Sequence, residues 1–334
     1  MGENILEVKH MTVTVYENGG EYKVVNRISF TVGKGEIVGI VGESGCGKSM
    51  TALALQDLLK NHIRVTEGSM MFDGKDLRTI SAAERREING NDMSMIFQEP
   101  MTSLNPLQRI GTQVGEVLLL HGKHSHAEIE QRTLEALQMA GLPDPKKTMR
   151  MYPHELSGGM RQRVMIAMGI IARPKLLIAD EPTTALDVTT QAHVLELLQR
   201  INRQTGTAVL LISHDLGVIN KICSRVLVMY AGKIVEQGLT EDILRNPLHP
   251  YTKGLIASIP TRRMKGEPLA SIPGRVPPIT EEKPPCPFAS RCAMAEKRCF
   301  TEYPGRKTRT GDHILWCHLD LEQQQAGNKE PIEQ

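Results

Sequence analysis

The sequence has no stretch near the ~18 consecutive apolar residues that span a bilayer. Its first residues, MGENILEVKH, lack a basic flank followed by an apolar run. Both absences lead to the expectation of a chain that stays in the cytosol and reaches a membrane only through a partner. Charge of one sign is also missing: 40 basic residues against 38 acidic ones leave a formal charge of +2. That balance offers no electrostatic footprint for nucleic acid or for an anionic membrane surface. Cysteine is scarce, at six residues, and four of the six fall in one short segment. In a reducing compartment this pattern points away from a disulfide framework and toward a metal or cluster site. No internal repeat is present.

Up to about residue 245, short β-branched runs alternate with longer helical periods, the pattern of crossover units on a largely parallel sheet. The runs are Glu36 to Val41, Met93 to Phe97, Leu176 to Ala179, Val209 to Ile212 and Val226 to Met229. The unbroken apolar character of 176–179 and 209–212 predicts central strands covered on both faces. Helical spacing from His126 to Gly141 gathers Ile129, Ala136, Leu137 and Ala140 on one face, which predicts a helical insert between strands at about 100–172. From residue 246 prolines multiply and periodicity fades, so 246–321 reads as a separate, loop-rich appendage. Residues 322–334 are polar with little to bury and read as a disordered tail.

Gly42, Glu43, Ser44, Gly45, Cys46, Gly47, Lys48 and Ser49 form G-x-x-x-x-G-K-S between an expected strand ending at Val41 and an expected helix from Ser49 to Leu59. Such a loop turns successive backbone N–H groups inward as an anion nest, and the helix N-terminus adds its dipole. Lys48 then reaches the terminal phosphates and Ser49 offers its hydroxyl to Mg²⁺. Cys46 holds a variable position where a small side chain suffices. Asp180 and Glu181 end an apolar strand, which places two carboxylates beside the loop. Asp180 is the candidate Mg²⁺ ligand, direct or through water. Glu181 is the candidate to polarise the attacking water.

Leu156-Ser157-Gly158-Gly159-Met160-Arg161-Gln162 resembles the signature of the ATP-binding cassette (ABC) family. Gln98 in Phe97-Gln98-Glu99-Pro100 resembles its Q-loop, Thr184-Ala185-Leu186-Asp187 its D-loop, and His214 in Ile212-Ser213-His214-Asp215 its switch histidine, all in the family's order. The resemblance implies an α/β fold: a P-loop ABC nucleotide-binding domain with a helical subdomain and a C-terminal cysteine-containing extension. It further implies an Mg²⁺-dependent ATPase with Glu181, His214 and Gln98 in catalysis, and Gln98 beside Ser49 and Asp180 at the metal. Two cassettes would pack head to tail, so that Ser157, Gly158 and Gly159 contact ATP held by the partner, and Asp187 of the D-loop is a further nucleotide-binding residue. By itself, Ser157 also reads as an ordinary helix cap. For the adenine, an aromatic before the second strand is expected: Tyr16, with Tyr22 as the alternative.

Asn246-Pro247-Leu248-His249-Pro250-Tyr251-Thr252 resembles the motif that opens the extension of oligopeptide, dipeptide and nickel uptake ATPases. The same residues also read as a proline-started helix. The branch implies two membrane-spanning permease subunits, a second and related ABC ATPase, an extracellular substrate-binding protein reached indirectly, and a place on the cytoplasmic face of the membrane. Cys286, Cys292, Cys299 and Cys317 give C-x5-C-x6-C-x17-C, and the segment Cys286-Pro287-Phe288-x-x-Arg291-Cys292 resembles members whose four cysteines ligate a [4Fe-4S] cluster. Four thiolates suit zinc equally well by ligand type, although paired C-x2-C knuckles are absent, and unligated thiols remain the third option. Within the branch, nickel and glutathione importers are the alternative functions. Outside it, the alternative is a soluble ABC ATPase that remodels ribosomes or DNA, against which stand the single cassette and the absence of a long coiled coil.

Overall fold

The computed structural model describes residues 3–17, 19–98, 103–122, 124–184, 186–259, 271–280, 283–309 and 311–319. The expected tail at 322–334, together with Glu99, Pro100 and Ala185 of the family motifs, lies outside them. Five parallel strands form the centre: β6 (Met93–Ile96), β7 (Leu176–Asp180), β8 (Ala208–Ser213), β3 (Ile37–Val41) and β9 (Arg225–Tyr230), side by side in that order. Each contains the run expected from the sequence, to within a residue or two at the ends. Every residue of β3, β7 and β8 is buried, as predicted for strands covered on both faces.

The covering on the two faces can be read from one strand. In β8, Val209 and Leu211 join one apolar cluster, while Ala208, Leu210 and Ile212 join the other, following the two-residue period of a strand. The first cluster is completed by helices α3 (Ile110–His121), α4 (His126–Met139), α6 (Gly158–Ile170) and α7 (Val188–Thr205). With the short α5 (Pro145–Arg150), α3, α4 and α6 fill the stretch between β6 and β7.

The second cluster is completed by a sheet that the sequence reading does not anticipate. Strands β1 (Asn4–Glu17), β2 (Gly20–Gly33), β4 (Ile63–Phe72) and β5 (Lys75–Asp76) pair antiparallel in the order β2-β1-β4-β5 and lay one face on the central sheet. Four register shifts bend the β1–β2 pair, as bulges do, and they break the apolar alternation that would announce a strand from sequence.

The segment after residue 246 does not stand apart. Strand β10 (Lys233–Leu239) pairs with β9 and also with β12 (Ile314–Trp316), which carries β11 (Arg306–Thr308) at the sheet edge. Three buried polar side chains fasten this junction. Glu236, fully buried, accepts from the backbone N–H groups of Leu248 and His249 at 2.8 and 2.9 Å and lies 2.8 Å from His313 Nε2. Tyr251, Cys286, Phe288 and Cys299 belong to the same apolar cluster as the central helices. The proline-started helix is present as Pro250–Ala257, capped by His249, whose Nδ1 accepts from the Tyr251 N–H.

Candidate active site

The phosphate loop leaves the buried end of β3 and enters α1 (Lys48–Leu55), a turn shorter than expected from sequence. Two glycines are demanded by space. A Cβ at Gly42 would lie 2.1 Å from the Met229 carbonyl oxygen, and one at Gly47, where φ is +105°, would lie 2.8 Å from the Val24 oxygen. Lys48 is buried, and its Nζ donates to the carbonyls of Gly42 at 2.7 Å and Glu43 at 3.0 Å. The loop thus holds its own cation where phosphate oxygens are to arrive.

Ser49 Oγ donates to Asp180 Oδ1 at 3.1 Å, so the hydroxyl at the start of α1 and the carboxylate at the end of β7 converge. Hydroxyl and carboxylate oxygens are the hard donors Mg²⁺ takes, with phosphate oxygens and water completing its shell. The residues present therefore fit that ion. Burial raises the Asp180 carboxyl above the usual carboxylate range and Glu181 adds to this, while the Ser49 hydrogen bond and Lys48 pull it down. A cation at this point would relieve the cost of burying that charge.

Glu181 follows at φ +46°, a conformation that costs a side-chain-bearing residue of order 1–3 kcal/mol. Its amide donates to the Ile212 carbonyl, which ties it to the end of β8. Its Oε2 accepts from Gln98 Nε2 at 3.1 Å and Thr184 Oγ1 at 2.8 Å, and lies 3.1 Å from His214 Nδ1. Three side chains from the ends of three different strands thus meet at one oxygen. A cavity of about 540 Å³ opens beside them, lined by Ser44, Gly45, Gly47, Lys48, Ser49, Gln98 and Glu181, with an apolar wall that includes Val15, Leu59, Ile63 and Ile279. Tyr16 does not line it. Its neighbours Val15 and Glu17 do, because successive residues of β1 face opposite sides. Ile279, from the extension, is a lining residue the sequence reading misses.

The profile of the ABC transporter family matches residues 25–184, and that of the oligopeptide/dipeptide transporter C-terminal region matches residues 235–299. The dipeptide transport ATP-binding protein DppD of Bacillus subtilis is 47% identical over 95% of both chains, and the oligopeptide transport ATP-binding protein OppD of Salmonella typhimurium is 47% identical over 90% of this chain and 89% of its own. The chain belongs to the ABC transporter ATP-binding proteins of the oligopeptide/dipeptide branch. Among solved structures, a dimeric ATP-binding cassette in a post-hydrolysis state with ADP and Pi bound is similar at a TM-score of 0.63 and 28% identity, covering 70% of this chain and 98% of that one.

As an ABC ATPase, the chain lines one cavity with the phosphate loop, Gln98 and Glu181, with Asp180 hydrogen-bonded to Ser49 and His214 beside Glu181. The signature residues lie elsewhere. Ser157 caps α6, accepting from Met160 N–H at 3.4 Å, and both Ser157 and Gly158 are exposed. A Cβ at Gly158 would touch nothing among the described residues, and one at Gly159 would come within 3.1 Å of Thr190. Asp187 caps α7, accepting from the N–H of Thr190 at 2.9 Å and from its hydroxyl at 2.7 Å; these bonds hold its carboxyl below the usual range. None of these four residues lines the nucleotide cavity of its own chain.

None of the six cysteines is in a disulfide. Cys286, Cys299 and Cys317 are buried and Cys292 half-buried, and Cys317 feels the charge of the other three. Backbone N–H groups two residues on point at three of the sulfurs: Phe288 at Cys286, Met294 at Cys292 and Leu319 at Cys317, while Glu296 N–H donates to Cys299 Sγ at 3.5 Å. Burial outweighs these bonds and pushes Cys286 and Cys317 up to about 11. Among the described residues, no group of three or more His, Cys, Asp or Glu is placed to hold a metal ion. The quartet is therefore not set around a single ion at the ~2.3 Å bonds that zinc requires.

Proposed function

We propose that this chain is the ATP-hydrolysing subunit of an importer that couples ATP binding and hydrolysis to uptake of dipeptides and oligopeptides across the cytoplasmic membrane. The observation that carries the reading is the pairing of a complete cassette with an extension of the oligopeptide/dipeptide type, in relatives aligned along nearly the whole chain. In the mechanism, the loop amides and Lys48 bind the phosphates, and Ser49 and Asp180 hold Mg²⁺, which when bound neutralises charge on the phosphate oxygens. Glu181 accepts a proton from the attacking water, and His214 and Gln98 keep its carboxylate aimed. Ser157, Gly158, Gly159 and Asp187 serve the nucleotide of a second cassette, a related ATPase, a reading supported by the exposure of Ser157, Gly158 and Asp187 and by the absence of all four from the lining of their own cavity. Closure of the pair then depends on ATP, and hydrolysis releases it.

Two permease subunits supply the path through the membrane. Among the described residues of this chain, no helix is long and apolar enough to cross one. The exposed Leu107 and Leu120, 86% and 72% accessible on the helical segment, suit contact with such subunits. An extracellular binding protein acts through them, and the chain sits peripherally on the cytoplasmic face. The four cysteines would hold a [4Fe-4S] cluster, a reading supported by four thiols in one segment and by the N–H groups aimed at their sulfurs.

The test is uptake of a labelled dipeptide and of nickel by cells whose own copy carries Lys48→Ala. Selective loss of dipeptide uptake is expected. Selective loss of nickel uptake would move the chain to metal import, and no change in either would favour a soluble remodelling ATPase.

A further inference from the structure

The first variable residue of the phosphate loop is gripped from 248 positions away. Arg291 Nη1 donates to Glu43 Oε2 at 2.7 Å and Nη2 to Oε1 at 3.1 Å, a two-pronged pair that fixes the carboxylate plane. The guanidinium is itself fixed. Its Nε donates to the Pro273 carbonyl at 2.7 Å and its Nη2 to that of Ile272 at 3.1 Å, while Nη1 reaches Tyr230 Oη at 3.3 Å. Its charge lies over the rings of Tyr230 and Phe288, at 5.7 and 6.0 Å, and only 6% of the side chain is exposed.

A second hold on the same residue comes from Tyr251. Its Oη accepts from the Glu43 amide at 2.9 Å, and its buried ring packs on Tyr230 and Phe288 with centroids 4.7 and 5.4 Å away. Glu43 is thus held at its amide and its carboxylate by the extension, and at its carbonyl by Lys48. Backbone that binds phosphate must be set before the ligand arrives, since any ordering left undone is subtracted from affinity. Arg291 is also the residue before Cys292, so whatever orders the cysteine segment orders this contact.

We propose that Arg291 and Tyr251 are positioning residues for the phosphate loop, and that the C-terminal extension sets nucleotide affinity through Glu43. By linkage, nucleotide binding and docking of the extension favour one another to the same degree. The inference rests on the nucleotide site and is independent of the cargo.

The test uses the full chain, with equilibrium binding of a fluorescent ADP analogue with Mg²⁺, steady-state ATPase and thermal melting. Arg291→Ala is expected to weaken nucleotide binding and raise KM for ATP about tenfold, the scale of losing charge-assisted hydrogen bonds. Its kcat at saturating ATP should change less than about twofold, since the contact acts before chemistry. Glu43→Ala should weaken nucleotide binding by a similar factor, and the double variant should bind no worse than either single, because the two residues form one contact. Tyr251→Phe keeps the buried ring and removes only the acceptor, which guards against a variant that fails to fold; it should weaken binding about threefold. Unchanged nucleotide affinity in Arg291→Ala and Tyr251→Phe, with only the melting temperature lowered, would overturn the proposal, as would losses that add fully in the double variant. Failure of the unaltered chain to bind the analogue at all would instead count against the nucleotide site.

Discussion

Glu181 Oε2 lies 3.1 Å from His214 Nδ1, joining residues from the ends of β7 and β8 that are 33 positions apart in the chain. The same oxygen accepts from Gln98 and Thr184, so one of the two carboxylate oxygens is held in place by three side chains. Replacing Glu181 with Gln keeps the shape and removes the base. The variant should bind ATP with near-normal affinity and hydrolyse it at least ~100-fold more slowly, the range expected for losing a general base. Single-turnover hydrolysis beside nucleotide binding checks this, and near-normal turnover would remove Glu181 from the role.

Gly158 has open space where a side chain would start, so no contact among the described residues requires a glycine there. Gly158→Ala should therefore melt close to the unaltered protein, while ATP-driven pairing of cassettes and ATPase activity should fall sharply. Light scattering of the Glu181→Gln background with and without ATP reads the pairing. Undiminished pairing would mean that this surface does not meet the partner's nucleotide.

His249 is 1% exposed, and burial lowers its pKa to about 4, against the pull of nearby Glu236; His313, hydrogen-bonded to Glu236, and Lys253, which feels the charge of Glu236, are further titratable groups at this junction. Its Nδ1 accepts a hydrogen bond and so carries no proton. Above the ordinary value of about 6.5 the imidazole is neutral folded or unfolded, and no stability is at stake. Below it the unfolded chain takes up a proton that the folded chain refuses until about pH 4, so stability falls by roughly 2 kcal/mol between pH 7 and 5 from this group alone. His249→Asn, which keeps a side-chain acceptor for the helix start, should flatten that decline in urea titrations at the two pH values. Parallel declines would place the sensitivity elsewhere.

The cysteine quartet separates three chemistries by content. Protein prepared without oxygen should contain iron and acid-labile sulfide in equal amounts, and Cys317→Ser should lose both. Zinc without sulfide would point to a mononuclear site formed by rearrangement, and neither element would point to free thiols.

Much of the site is legible because its pieces are contiguous. The loop from Gly42 to Ser49, the strand that ends in Asp180 and Glu181, and the strand before His214 each carry their chemistry within a few residues. Local periodicity then tells which strands are central. The antiparallel sheet escapes this reading because bulges interrupt the alternation of β1 and β2, and because their partners are chosen by burial against the central sheet. Tyr16 shows the same limit on a smaller scale. A strand residue's type says nothing about which face it takes, and a one-residue change of register reverses it.

The sequence by itself determined the ATP chemistry, since phosphate and metal recognition are built from short backbone turns and a few fixed side chains. It also placed the cysteines and the helix start at Pro250, both local patterns. The contacts by which the extension packs on the cassette belong to the tertiary structure alone. Glu236 pairs with His313, the Glu43 carboxylate accepts from Arg291 while its amide donates to Tyr251, and Ile279 walls the nucleotide cavity, each across a separation that no local period records. Buried charge and polar groups must find partners wherever the fold brings them, and that choice is made by packing the whole chain.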